Sequence, residues 1–140
     1  MRIQGLNHIT FSVSELERSL AFYERALKAK LLFREDTTAY LDLGGIWIAL
    51  NEQRNILRNE IYHSYTHTAF TISPTDGEDW EAHLTKQGVS LLQGRERSPE
   101  EGHSLYFTDP DGHLLELHTG SLAQRLSAYN AKAAIENSTA

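Results

Sequence analysis

Cysteine is missing from all 140 residues. Disulfides and thiolate metal sites are therefore excluded, so a metal would have to be held by nitrogen and oxygen. Any thiol chemistry would have to use a thiol that arrives as a substrate. Long apolar runs are missing too. No stretch of about eighteen apolar residues is long enough to span a bilayer, and the opening Met1–Thr10 segment lacks the apolar core of a signal peptide. The expectation is a cytoplasmic protein with no membrane partner. Basic charge is scarce: 13 Lys and Arg stand against 19 Asp and Glu, a formal net charge of -6. That argues against a nucleic-acid partner, which needs a basic face, but leaves room for a local basic pocket that binds a small anion. Hydrophobic residues make up 40%, enough for the core of one compact domain.

What is present is a weak internal repeat. His8-Ile9-Thr10-Phe11-Ser12-Val13-Ser14 returns as His67-Thr68-Ala69-Phe70-Thr71-Ile72-Ser73, in register at His, Phe, Ser/Thr, Val/Ile and Ser. A helix signal follows each copy. Ser14 and Glu17 form an S-x-x-E capping box ahead of Leu16, Leu20, Tyr23 and Leu27 at helical spacing. Ser73-Pro74-Thr75-Asp76 opens the second helix, with Trp80 and Leu84 four apart and Gly88 as its stop. Strand-like runs come next. The first half offers Leu31–Arg34, Ala39–Leu43 and Ile46–Leu50, turned at Gly44-Gly45. The second offers Val89–Leu92, Ser104–Thr108 and His113–His118, turned at Asp109-Pro110-Asp111-Gly112. The predicted class is α+β, with two βαβββ repeats over about 3–52 and 65–118 in a single domain, 1–131. A closing helix is expected over about 121–131, with a frayed tail over 132–140. One βαβββ unit cannot bury its sheet face alone, whereas two can enclose a concave site.

His8 and His67 hold the same place in the two repeats, so a pseudo-twofold would aim both imidazoles into that cavity. Aligning the turn glycines Gly45 and Gly112 pairs Trp47 with Leu114 and Ala49 with Glu116. Glu116 is thus an acid where the other half is apolar, and it shares a strand face with Leu114 and His118. Two imidazoles and a carboxylate suit a divalent first-row metal with positions left open for substrate. Without thiolates the balance leans toward Mn²⁺ or Mg²⁺. His63, His83, His103 and His113 read as ordinary histidines, and His118 stands as the alternative to Glu116.

Several runs together carry a family resemblance. They are Gly5-Leu6-Asn7-His8, Ser19-Leu20-Ala21-Phe22-Tyr23, Ala39-Tyr40, Trp47-Ile48-Ala49-Leu50-Asn51-Glu52, Tyr65-Thr66-His67, Gly94-Arg95, Ser104-Leu105-Tyr106-Phe107, Asp109-Pro110-Asp111-Gly112-His113 and Glu116-Leu117-His118. With them the chain resembles the fosfomycin-resistance thiol transferases of the vicinal oxygen chelate (glyoxalase/bleomycin resistance/dioxygenase) superfamily. The resemblance covers about residues 3–130. It implies a divalent metal on His8, His67 and Glu116, and a homodimer whose repeats pair between chains, His8 of one subunit joining His67 and Glu116 of the other. The substrates it implies are fosfomycin and a small thiol.

The resemblance also assigns roles at the site. Arg125 and Arg95 would clamp the phosphonate. Tyr106, Tyr40 and Ser104 would donate hydroxyl hydrogen bonds, and Trp47 would wall the epoxide. Thr10 would orient the oxirane oxygen or the incoming sulfur, and Tyr65 and Asn51 would line the thiol channel. Gly94–His103 and Arg58-Asn59-Glu60-Ile61-Tyr62 resemble the bacillithiol-type (FosB) branch more than the glutathione (FosA) branch. Thr10 departs from that branch, where many members carry cysteine. Bacillithiol or L-cysteine is the favoured donor, with glutathione open. Three alternatives stand beside this reading: a glyoxalase-like isomerase, which Ala49 disfavours as the place of a fourth ligand; an extradiol dioxygenase; and a non-catalytic antibiotic-binding protein.

Overall fold

A computed structural model describes residues 1–58 and 64–139. Asn59–Tyr62, part of the resemblance to the bacillithiol-type branch, and His63 lie outside the described residues. The chain divides into two compact units, 1–66 with 108–113, and 67–107 with 114–140.

Unit one holds β1 (His8–Val13), α1 (Leu16–Arg25), β2 (Lys30–Arg34), β3 (Thr38–Leu43) and β4 (Ile46–Glu52). Its sheet runs β1-β4-β3-β2, with β1 parallel to β4 and the other pairs antiparallel. Alternation sends Phe11, Val13, Ile48 and Leu50 to one face, where they are buried together with Leu16, Leu20 and Tyr23 of α1. The expected capping box is replaced. Glu15 is the N-cap of α1 and makes no side-chain cap bond. The Leu16 amide instead donates to Glu52 (2.8 Å), and the Ser14 amide to Asp111 (2.9 Å). Glu52 satisfies the first orphan donor of the helix and Asp111 the amide just ahead of it, leaving Ser14 Oγ to accept from Arg18.

The Asp109–His113 turn belongs to this unit and is its polar anchor. Asp109 Oδ1 accepts from the amides of Asp111 and His113, and its Oδ2 accepts from Tyr23 Oη (3.0 Å) and lies 2.7 Å from His113 Nδ1. Burial, then the Asp109 charge, pushes the Tyr23 hydroxyl well above its ordinary pKa. Burial alone would raise the Asp111 carboxyl, but hydrogen bonding at Ser14 and the Arg58 and Arg18 charges hold it below its usual range.

Unit two holds β5 (His67–Thr71), α2 (Gly77–Lys86), β6 (Ser104–Thr108), β7 (Leu114–His118) and α3 (Leu122–Thr139); Thr108 falls at the boundary. The sheet order is β5-β7-β6, with β5 parallel to β7. The strand expected over Val89–Leu92 is reduced to one bridge, Leu92 to Tyr106. The Val89 amide donates to Leu84 O and so closes the end of α2 at Gly88. The frayed tail expected over 132–140 is also corrected: α3 continues through Thr139. Ala131, Lys132, Ala133 and Ala134 are good helix formers, and no glycine or proline stops them. Among the described residues no helix is long and apolar enough to cross a membrane.

Candidate active site

The polar cluster of unit two is built on the face of its sheet opposite the leucines and phenylalanine of β6 and β7. Leu105, Phe107, Leu115 and Leu117 occupy the buried face, so strand alternation turns Ser104, Tyr106, Glu116 and His118 the other way. Parallel pairing sets His67 opposite Leu114 and Ala69 opposite Glu116. The diagonal step brings His67 Nε2 to 3.1 Å from Glu116 Oε2.

Glu116 is almost fully buried, at 3% exposure. A carboxylate taken from water needs partners. Ser104 Oγ donates to its Oε1 (2.5 Å), and Arg97 Nη2 donates to the same oxygen (3.1 Å). Arg97 Nη2 also donates to Tyr106 Oη (2.6 Å). Since the Ser104 proton points to Glu116, the 2.8 Å contact between Ser104 Oγ and His118 Nδ1 assigns the proton there to His118. Its Nε2 then faces Arg125 Nη2 at 3.4 Å. Burial lowers the His118 pKa, and Arg97 and Arg125 add to that against Glu116. His118 thus joins Ser104 and Arg125 in one contact chain beside Glu116. His67, Glu116, His118 and Arg125 border a cleft of about 250 Å³.

The segment from Gly94 to Gly102 delivers Arg97. Ser98 caps the short turn Pro99–Glu101, and Glu101 returns a bond to the Ser98 amide. Arg95 Nη2 donates to Glu101 Oε1 (2.6 Å) and reaches Tyr129 Oη (3.4 Å) on α3. The Arg95 hydrogen bond, followed by the Ser98 amide, lowers the Glu101 carboxyl to about 2. Both ends of the segment approach neighbours too closely for a side chain. A Cβ on Gly94 would meet the Tyr106 ring at 2.9 Å, and one on Gly102 would meet Gly120 N at 2.7 Å. Arg95, Arg97, Ser104 and Tyr106 line a second cleft, of about 390 Å³.

Unit one presents a different surface. Ring contacts run across its whole sheet, Phe33 to Tyr40 (5.2 Å), Tyr40 to Trp47 (5.2 Å) and Trp47 to His8 (4.5 Å). Trp47 is 39% exposed. His8 and Thr10 are exposed on the same strand face, opposite Trp47 and Ala49. Asn51 and Tyr65 are exposed.

The expected site residues therefore fall into two groups. His67, Ser104, Tyr106, Glu116 and Arg125 are gathered in unit two, whereas His8, Thr10, Tyr40, Trp47, Asn51 and Tyr65 belong to unit one. His67 and Glu116 supply one nitrogen and one oxygen donor, which fits a borderline or hard divalent metal. Among the described residues, no group of three or more His, Cys, Asp or Glu side chains is arranged to hold a metal. Arg95 is engaged by Glu101, and Ser104 by Glu116 and His118. Arg97 was missed in the sequence, although Gly94-Arg95-Glu96-Arg97 places two arginines at strand spacing. Choosing between them takes the Glu101 contact, for which Ser98-Pro99-Glu100-Glu101, itself an S-x-x-E pattern, was the available signal.

A family model described as Glyoxalase/Bleomycin resistance protein/Dioxygenase superfamily matches residues 5–117. A metallothiol transferase FosB from Staphylococcus haemolyticus is 56% identical over 127 residues, 91% of each chain. A crystal structure of the fosfomycin resistance protein FosX from Listeria monocytogenes, complexed with Mn(II) and sulfate ion, superposes with a TM-score of 0.81 at 32% identity, covering 91% of this chain and 99% of that one. A mutant of the same protein, complexed with Mn(II) and 1S,2S-dihydroxypropylphosphonic acid, matches with a TM-score of 0.80 at 31% identity, covering 90% and 99%.

Proposed function

The chain belongs to the glyoxalase/bleomycin resistance/dioxygenase superfamily, and we propose that within it the protein inactivates fosfomycin by metal-dependent opening of the drug's epoxide with a low-molecular-weight thiol. The observation that carries this reading is the 56% identity to a metallothiol transferase FosB over 91% of both chains. The pairing of His67 with a buried Glu116 beside Arg97, Arg125 and Tyr106 supplies chemistry that suits it.

In this reading His67 and Glu116 hold a divalent metal, with His8 of a second copy as the third ligand in a homodimer. Nitrogen and oxygen donors favour Mn²⁺ or Mg²⁺. When bound, the metal supplies Lewis acidity that stabilises the alkoxide left by the epoxide oxygen. Arg125 and Tyr106 hold the phosphonate through charge-assisted hydrogen bonds. Ser104 acts through Glu116, fixing the carboxylate's orientation. Trp47 and Tyr40 form an apolar wall that excludes water, and the Thr10 hydroxyl orients the oxirane oxygen or the thiol. Asn51 and Tyr65 line the thiol's approach. The thiolate forms a carbon–sulfur bond as the carbon–oxygen bond breaks, and the alkoxide takes a proton from solvent. Positioning and electrostatics carry such a step without a strong protein base. Bacillithiol or L-cysteine is the proposed donor, ahead of glutathione, in a cytoplasm that keeps thiols reduced.

The test is phosphorus NMR of the protein with fosfomycin, Mn²⁺ or Mg²⁺, and bacillithiol, L-cysteine or glutathione in separate tubes. A thiol adduct is expected. No adduct with any thiol sinks the proposal. A second reading, opening by water, draws on the dihydroxypropylphosphonic acid bound by the FosX structure, which is fosfomycin after water addition. Diol formation without adduct would establish it instead.

A further inference from the structure

Arg97 stands out as a buried cation with unfinished hydrogen bonding. Its side chain is 9% exposed. Nη2 is shared between Tyr106 Oη and Glu116 Oε1, while Nε and Nη1 are buried with no hydrogen-bond partner among the described residues. A buried donor left unpaired is costly, and either one, joined by Nη2 once that nitrogen leaves Glu116, makes the fork that matches two oxygens of one anion. The close approach of Gly94 to the Tyr106 ring and the Arg95–Glu101–Ser98 clasp hold the Arg97 backbone in place, so its guanidinium can change partners only within reach of Glu116.

We propose that Arg97 and the divalent metal compete for Glu116, and that Arg97, once displaced from the carboxylate, pairs with the anionic group of the substrate. This rests on the functional reading above, because it takes Glu116 as a metal ligand. Two cations brought to one buried carboxylate repel each other, so the guanidinium weakens metal binding when no anion is present. An anion beside Arg97 removes that repulsion and takes up the freed Nη2 together with one of the unpaired nitrogens. Metal and anion therefore strengthen each other's binding, and by linkage the strengthening is reciprocal. The coupling runs through a residue that contributes no metal ligand. It favours an anion of phosphonate type, with at least two oxygens on one centre, over a neutral epoxide.

The test is Mn²⁺ titration of the purified protein, followed by the paramagnetic resonance of free Mn²⁺, with and without methylphosphonate as the anion probe. Wild type is compared with Arg97→Met and Arg97→Lys. Without the probe, Arg97→Met is expected to bind Mn²⁺ about tenfold tighter, the scale of a close charge pair. Its Mn²⁺-loaded form is expected to bind methylphosphonate about tenfold more weakly. Arg97→Lys keeps the charge and should keep wild-type Mn²⁺ affinity while losing anion affinity, because it lacks the fork. Should the methionine variant fail to fold, Arg97→Gln takes its place in the same comparison. Unchanged or weaker Mn²⁺ binding in the neutral variant, or unchanged methylphosphonate binding, overturns the proposal. A wild type that makes thiol adduct but shows no such shift loses the Arg97 role and keeps the function. A wild type that binds no Mn²⁺ loses both.

Discussion

The two sheets share one plan and carry opposite chemistry. In each, the first strand pairs in parallel with the last, with His8 opposite Trp47 and His67 opposite Leu114. Two residues on, Thr10 stands opposite Ala49 and Ala69 opposite Glu116. Around His8 the neighbours are rings, from Trp47 through Tyr40 to Phe33, largely open to solvent. Around His67 they are a buried carboxylate, two arginines, a hydroxyl and a second imidazole. A repeated backbone sets where a side chain stands, and the residue placed there decides whether the surface binds by contact or by charge. The charged half needs a cover, and the Gly94–Gly102 segment supplies it in unit two.

The largest break in this comparison should come from Glu116→Ala. It removes the centre of the charged half, and thiol-adduct formation by phosphorus NMR should fall by about a thousandfold or more, the scale of several kcal/mol of lost Lewis-acid stabilisation. Full turnover by this variant would refute the metal mechanism. Next comes Asp109→Ala in unit one, which leaves Tyr23 Oη, two amides and His113 without their shared acceptor. Unfolding in urea should show a loss of about 3 kcal/mol, and a loss below about 1 kcal/mol would mean that the turn is no anchor.

Tyr106→Phe removes one hydroxyl from the charged half and should lower kcat/KM about tenfold. An undiminished value would leave that hydroxyl without a part in the reaction. Trp47→Leu, on the ring-lined half, should raise KM only a few-fold with kcat nearly kept, as expected of uniform binding. If it instead costs kcat as heavily as Tyr106→Phe, the division between the halves fails.

The smallest effect concerns acid. The Glu101 carboxyl is lowered to about 2, so the clasp it makes with Arg95 and Ser98 is complete above the ordinary carboxylate range and is lost as pH falls toward 2. Protection of the Ser98 amide, its exchange rate relative to an unstructured amide at the same pH, should hold at pH 4 and fall below pH 3. Protection already lost at pH 4 would show that the clasp does not hold the loop.

Much of this was legible in the amino-acid pattern. The matched His-x-Thr/Ala-Phe strands, the alternation that buries Phe11, Val13, Phe70 and Leu117, and the turn glycines all report backbone periodicity, which is local. The pairing of Ala49 with Glu116 as counterparts followed from the same period. The misses were of another kind. Ser14 gave up its capping role because Glu52 and Asp111 reach the helix end from elsewhere in the chain. Val89 joined the end of α2 rather than a strand. Arg95 and Arg97 are indistinguishable by spacing, and only their partners, Glu101 for one and Glu116 for the other, separate them.

The sequence by itself determined the α+β class, the doubled unit, the exclusion of thiolate ligands and the equivalence of His8 with His67 and of Ala49 with Glu116 in the two repeats. It could do so because strand period, turn chemistry and composition are properties of neighbouring residues. Only the tertiary structure decided that Glu116 is sealed from water, that Ser104 and His118 orient it and that Arg97 is the cation beside it. Burial and charge pairing depend on which distant segments fold over the sheet, and they follow from the packing of the whole unit rather than from any run of residues within it.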